Sequence, residues 1–437
     1  MSIPNMDANN NPTMKRILIL TAAVLSLAAC CRTQAQNNCA APNVKPGIEV
    51  LRDCGFSGLE GKKVGLLTNP SGVDRNLQST IDILYKAENV ELVRLFAPEH
   101  GVRGDIYAGG HADDTVDEAT GLPVLSIYGK YRKPTPEMLE GLDVVVYDIQ
   151  DVGTRSYTFI SALGLMMRAC AENDVEVMVL DRPNPLGGNT IEGNYVEPGF
   201  FSYIGEFAIP YVYGLTVGEL AQLLNEEGLN CGEKGDEPAL KCKLSVVPME
   251  GWNRSMTYEQ TGLPWILPSP QVPQSQNAVG YPCAGIVGDF SGFYLNIGVG
   301  YTLPFLVFAA EWVDAEAFKA ELESYHIPGV AWRTIHYKPF FGGDQGKLLH
   351  GVQYFFTDYE AAPLTLINFY VMQAVHKLYP EHNPFDGNVN RTNDIVCGTD
   401  HIRKTFEKNF LVSDIVDYWM KDADAFRELS KKYYLYK

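Results

Sequence analysis

What the chain has little of narrows it first. Cationic residues are short, with 35 Lys and Arg against 53 Asp and Glu, for a formal charge of −18. No basic stripe is present, so nucleic acid is not an expected partner, and an anionic membrane surface would not hold the chain unaided. The nine cysteines include no Cys-x-x-Cys and the eight histidines no His-x-x-x-His, so no metal site is expected. The first strand-like run ends in Asn69-Pro70-Ser71-Gly72-Val73-Asp74 rather than Gly-x-Gly-x-x-Gly, and neither a Walker loop nor a Gly-x-Ser-x-Gly elbow occurs. The chain is therefore expected to need no cofactor.

Apolar runs long enough to span a bilayer are also missing. The run Ile17 to Leu27 follows Met14-Lys15-Arg16 and ends in Leu27-Ala28-Ala29-Cys30, the pattern of an export signal with a bacterial lipobox. Residues 1–30 are accordingly expected to be a signal peptide, with Cys30 lipidated, and residues 31–44 a flexible tether. The mature protein would be exported to the periplasm or cell envelope, touching membrane only through its lipid anchor. Export makes disulfides permissible, and Cys231 with Cys242, which flank an acidic Gly- and Pro-containing segment, are the candidate pair.

What is present is alternation. Lys63 to Thr68, Leu92 to Phe96, Pro123 to Tyr128, Asp143 to Tyr147 and Glu176 to Leu180 read as strands. Helices are expected over 79–87, with Ser79 as N-cap, over 158–172, and from Thr216, where Glu219 completes a capping box. Near-continuous apolar strands between helices predict an α/β fold, a Rossmann-like, mostly parallel sheet with helices on both faces. Prolines 264, 268, 270, 273 and 282 predict a long loop from 252 to 282. Beyond it, helices over 315–323, 364–378, 402–406 and 414–433 flank strands over 332–337 and 352–356. The expected division is a catalytic domain over 45–285 and a smaller α+β auxiliary domain over 286–437.

Polar residues gather where the expected strands stop: Asn69, Glu99 with His100, Asp148 with Asp151, and Asp181 with Arg182. Core packing does not call for them, and ligands of open α/β sheets bind at the carboxyl ends of strands. Each of the aspartates taken singly fits a helix cap; the convergence favours a site. Paired carboxylates without a cofactor suit glycosidic hydrolysis, in which a protonated acid serves the leaving oxygen. Glu99, in the dense segment Ala97-Pro98-Glu99-His100-Gly101-Val102-Arg103-Gly104-Asp105, is the best acid; Asp148, Asp151 and Glu192 are candidates for the second role. Metal binding by His100, His111 and Asp105 is the weaker alternative, because their spacing is wide.

Several long segments then resemble one family: GLLTNPSGVD (65–74), LFAPEHGVRGD (95–105), PVLSIYGKYRKPTPEML (123–139), YDIQDVGTRSYTFI (147–160), VLDRPNPLGGNTIEG (179–193), YGLTVGELA (213–221) and LPSPQVP (267–273). Together they resemble the bacterial exo-β-N-acetylmuramidases, glycoside hydrolases once grouped as a domain of unknown function. The resemblance implies release of terminal N-acetylmuramic acid from the non-reducing ends of peptidoglycan fragments, in a cleft between a Rossmann-like domain and an auxiliary one. It places the family's catalytic glutamate on Glu99 and a second glutamate on Glu192.

Such a substrate gives the arginines a task. Its lactyl carboxylate suits a bidentate guanidinium, and Arg103, Arg155 and Arg182 lie in matching segments. Salt bridges to Asp148, Asp151 or Asp181 are the structural alternative for each. Tyr128, Tyr157 and Trp265 are candidates to stack on sugar faces. The chain departs from the family where Ser-Glu-Gly-Arg-Gly-Thr-Thr is usual: Ile297 and Val299 replace the Glu and Arg, and Gln271 stands where Asn is usual. These changes leave two alternatives, a cell-wall-sugar-binding lipoprotein without catalysis and a glycosidase of altered substrate.

Overall fold

The structure is a computed structural model that describes residues 44–104, 114–288, 294–385 and 390–437. The expected signal segment with Cys30, the expected tether to residue 43, Asp105 and His111 lie outside the described residues. Ten strands occur among them: β1 (Lys63–Thr68), β2 (Glu91–Ala97), β3 (Thr115–Val116), β4 (Pro123–Ser126), β5 (Val144–Asp148), β6 (Glu176–Leu180), β7 (Leu244–Val247), β8 (Val307–Ala310), β9 (Val330–Tyr337) and β10 (Leu349–Phe356). The first seven form one sheet in the order β3-β4-β2-β1-β5-β6-β7, parallel except for the short edge strand β3. The last three form an antiparallel sheet, β8-β10-β9. This is the expected mostly parallel α/β sheet with a smaller second sheet.

The alternation of strand side chains explains why helices cover both faces. Val64, Leu66, Val144, Val146, Met178 and Leu180 point to one face, where Ile48 and Leu51 of helix Gly47–Asp53 and Ile81 and Leu84 of helix Thr80–Lys86 pack on them. Leu67, Val145, Tyr147, Val177 and Val179 point to the other and meet Leu163, Met166 and Met167 of helix Phe159–Glu172. Ser79 caps its helix by accepting from the Ile81 N–H, and the Thr216–Glu219 capping box forms with both of its hydrogen bonds.

Two expectations need correction. The proline-rich stretch is not loop to residue 282, because helix Ser275–Gly288 runs through Pro282. A proline inside a helix removes one backbone donor. Here the buried side chain of Asn368 splints the segment, donating to the Pro282 carbonyl at 2.8 Å and accepting from the Val287 N–H at 3.1 Å. The helix expected over 414–433 is broken into short pieces, Val412–Asp414, Val416–Trp419, Ala423–Ser430 and Lys431–Tyr433. The chain's end then returns to the first sheet, where the Tyr436 hydroxyl donates to Asp181 at 2.6 Å.

Candidate active site

β2 delivers Glu99 to the carboxyl edge of the parallel sheet, two residues after Ala97. His100 follows with φ +74°, a left-handed conformation that strains a side chain with a Cβ, and is buried. Both line a cavity of about 340 Å³. Residues 156–159, at the start of helix Phe159–Glu172, form one wall. There the Thr158 hydroxyl, at the N-cap position, donates to Glu99 Oε2 at 2.9 Å. The Tyr128 phenol, just beyond β4, neighbours the same carboxylate; burial first, and then the Glu99 charge, push it up to about 12.

Aromatic rings close the cavity. Tyr157 meets Phe159 edge to face at 5.1 Å and Tyr281 at 5.3 Å, and Tyr281 meets Phe305 at 4.9 Å. Ser269, Gln271 and Val272 supply a polar and apolar rim, while Ile297 and Val299 make an apolar wall. That wall packs tightly: a Cβ on Gly288 would fall 2.3 Å from Ile297 Cδ1. A larger cavity of about 620 Å³ lies between Trp265, Phe356 and Tyr359, and the one charged side chain among its described lining residues, Glu259, already accepts from Ser275 Oγ at 2.5 Å. We place the site in the smaller cavity because Glu99 and His100 are there. Trp265 borders only the larger one, its indole N–H donating to the Val272 carbonyl at 3.0 Å.

The other residues singled out from sequence do not line the Glu99 cavity. Asp148 is held by Arg182, at 2.5 Å from Nε and 2.9 Å from Nη2, and by the Thr80 hydroxyl. Asn69 accepts from the Ser71 N–H at 3.0 Å and donates to the Pro268 carbonyl at 2.9 Å, anchoring the loop that carries Ser269 and Gln271. Asp151 accepts from the Tyr213 hydroxyl and the Gly153 N–H, and burial pushes its carboxyl up to about 6. Asp181 accepts from Thr216, Tyr436 and the Gly218 N–H, and burial pushes it likewise to about 6. Arg103 pairs with Asp117 at 2.8 Å. Arg155 is wholly buried and donates to the carbonyls of Asn194, Ile209 and Val396 at 2.7, 2.6 and 3.1 Å. Glu192 is buried too, accepting from the backbone N–H groups of Leu364 and Thr365 and from the Thr365 hydroxyl.

Asn69, Asp148 and Arg182, held by their neighbours and by Thr80, occupy the crevice beyond β1 and β5, where the sheet order reverses, and the Glu99 cavity lies at the end of β2. The candidate disulfide is not formed: the Cys231 thiol donates to the Gly228 carbonyl and the Cys242 thiol to Asn225 Oδ1. Sequence reasoning missed the Thr158 hydroxyl on Glu99. Thr158 stood out only as the start of a helix, and nothing local to it signals a carboxylate 59 residues away.

Residues 64–276 match the exo-β-N-acetylmuramidase NamZ N-terminal family, and residues 279–436 its C-terminal family. The chain belongs to this family. A peptidoglycan β-N-acetylmuramidase of Bacillus subtilis strain 168 is 40% identical over 395 residues, covering 90% of this chain and 92% of that protein. The crystal structure of a DUF1343 family protein from Bacteroides fragilis NCTC 9343 superposes with a TM-score of 0.85 at 52% identity, covering 91% of this chain and all of that one. A second DUF1343 protein of the same organism gives 0.70 at 28% identity, covering 90% of this chain and 99% of that one. In this chain the two matched regions meet between residues 276 and 279, inside helix Ser275–Gly288, which lends Tyr281, Gly285 and Gly288 to the cavity.

Proposed function

We propose that this chain is an exo-β-N-acetylmuramidase that releases N-acetylmuramic acid from the non-reducing ends of peptidoglycan fragments, with Glu99 as general acid. The observation that carries this reading is the position of Glu99, at a strand's carboxyl end in a cavity of about 340 Å³ that suits one sugar ring rather than a run of them. Cleavage requires a proton on the glycosidic oxygen as positive charge builds at the anomeric carbon. Glu99 supplies that proton, while the Thr158 hydroxyl fixes the carboxyl in place and the Tyr128 phenol lies beside it. Among the described lining residues Glu99 is the one carboxylate, which favours attack by water or by the substrate's own 2-acetamido oxygen over a protein nucleophile.

Hydrolysis of 4-nitrophenyl β-N-acetylmuramide and of the disaccharide N-acetylmuramyl-β-1,4-N-acetylglucosamine tests this. Glu99→Gln should lower kcat on the disaccharide by about 10²–10⁴-fold, the usual worth of a general acid. The loss should be smaller on the nitrophenyl glycoside, whose leaving group departs without a proton. Full disaccharide activity in Glu99→Gln removes Glu99 from the role, and equal turnover of the matching glucosaminide would overturn the substrate class.

A further inference from the structure

Phe340 and Phe341 are 63% and 51% exposed, neighbours in sequence on the loop between β9 and β10. Exposed adjacent phenylalanines lose hydrophobic stabilisation and invite association, so such a pair asks for an occupant. The loop that carries them is fastened. The Gly346 N–H donates to the Pro339 carbonyl at 3.0 Å, and the Gln345 N–H to the Gly342 carbonyl at 3.1 Å. Buried Asp344 receives Lys347 Nζ at 3.0 Å and Asn296 Nδ2 at 3.2 Å.

That second bond ties the loop to the segment whose Ile297 and Val299 wall the Glu99 cavity. The tie is repeated at the next residue, where the Phe340 N–H donates to the Gly300 carbonyl at 2.6 Å. Gly300, at φ +90°, lets the strands of this knot touch: a Cβ there would fall 2.4 Å from the Phe341 carbonyl oxygen. Tyr301 then stacks on Tyr337 at 4.5 Å and leans on Phe340 at 5.6 Å. A run of aromatic rings therefore starts within two residues of Val299 and continues to the exposed ring of Phe340, with exposed Phe341 next to it in sequence.

Resting on the reaction proposed above, we infer that Phe340 and Phe341, backed by Tyr301, form the leaving-group subsite, a platform on which the sugar behind the scissile bond stacks. An exo-acting enzyme encloses one residue, and the remainder of the glycan must leave by the cavity mouth. The C–H face of a pyranose packs on a phenyl ring, and its hydroxyls meet the exposed polar side chains of the same loop, Lys338, Gln345 and Lys347. A second copy of this chain is the competing occupant. Continuity with the wall of the cavity favours the sugar.

The experiment compares wild type with the double variant Phe340→Ala/Phe341→Ala on two substrates. One is the disaccharide N-acetylmuramyl-β-1,4-N-acetylglucosamine; the other is β-N-acetylmuramyl fluoride, whose leaving group is too small to reach the platform. Expected is a fall in kcat/KM of at least tenfold on the disaccharide with a change under twofold on the fluoride, the thermal midpoint being unmoved. Equal losses on both, or none on either, overturn the subsite, as does a shift from dimer to monomer in sedimentation without a kinetic change. Should wild type turn over neither substrate, the reaction itself is misassigned. Calorimetric titration with the disaccharide then decides the platform alone: at least tenfold tighter binding by wild type supports it, and equal binding overturns it.

Discussion

Asp151 carries a charge that the fold does not welcome. Its Oδ2 accepts from the Gly153 N–H and the Tyr213 hydroxyl, while its buried Oδ1 has no hydrogen-bond partner among the described residues. Burial raises its folded pKa to about 6, above the ordinary 3.8. Between these values the folded protein binds more protons than the unfolded chain, so this residue's contribution to stability is full below about pH 4 and is lost as pH rises through 6. A shift of about two pH units corresponds to roughly 3 kcal/mol. Asp151→Asn keeps the shape and an acceptor while removing the charge. Relative to wild type it should gain about 2–3 kcal/mol between pH 4 and pH 7, read from urea unfolding at both values. A constant difference across that range would show that Asp151 titrates normally. Asp181, also raised to about 6 by burial, adds to the same slope in both proteins and cancels in the comparison.

Arg155 acts between elements. Its guanidinium ties the carbonyls of Asn194 and Ile209 to that of Val396, in helix Asn390–Cys397, and burial lowers its pKa to about 10. Arg155→Ala should therefore cost about 3–5 kcal/mol in urea unfolding, as removal of a buried charged hydrogen-bonding group does, and leave the preference for muramide over glucosaminide intact in the folded fraction. A changed preference with unchanged stability would return Arg155 to the substrate. The strands were legible because parallel strands buried on both faces read as unbroken apolar runs, as in Val144–Asp148 and Glu176–Leu180. Helix Ser275–Gly288 was not, because the splint that tolerates Pro282 comes from Asn368, 86 residues on. The same distance in sequence hid half of the site. Glu99 stands out at the end of its strand, but Asp148, Asp181 and Arg182 stand out equally, and only the fold reveals that partners such as Tyr436 have already claimed them.

On the scale of the molecule, charge and anchoring pull in opposite directions. A chain of formal charge −18 is repelled by an anionic bilayer, and no helix among the described residues is long and apolar enough to cross one. We propose that the protein is held at the cell envelope through Cys30, at the end of Leu27-Ala28-Ala29-Cys30. We propose that wild type fractionates with membranes, resists washing in high salt and is released by detergent, because an acyl anchor is hydrophobic rather than electrostatic. Cys30→Ser should move it to the soluble fraction with kcat/KM unchanged, since the described lining of the cavity runs from Glu99 to Phe305. Retention of Cys30→Ser on membranes through a salt wash, or a soluble wild type, would end the lipoprotein reading while leaving the chemistry at Glu99 untouched.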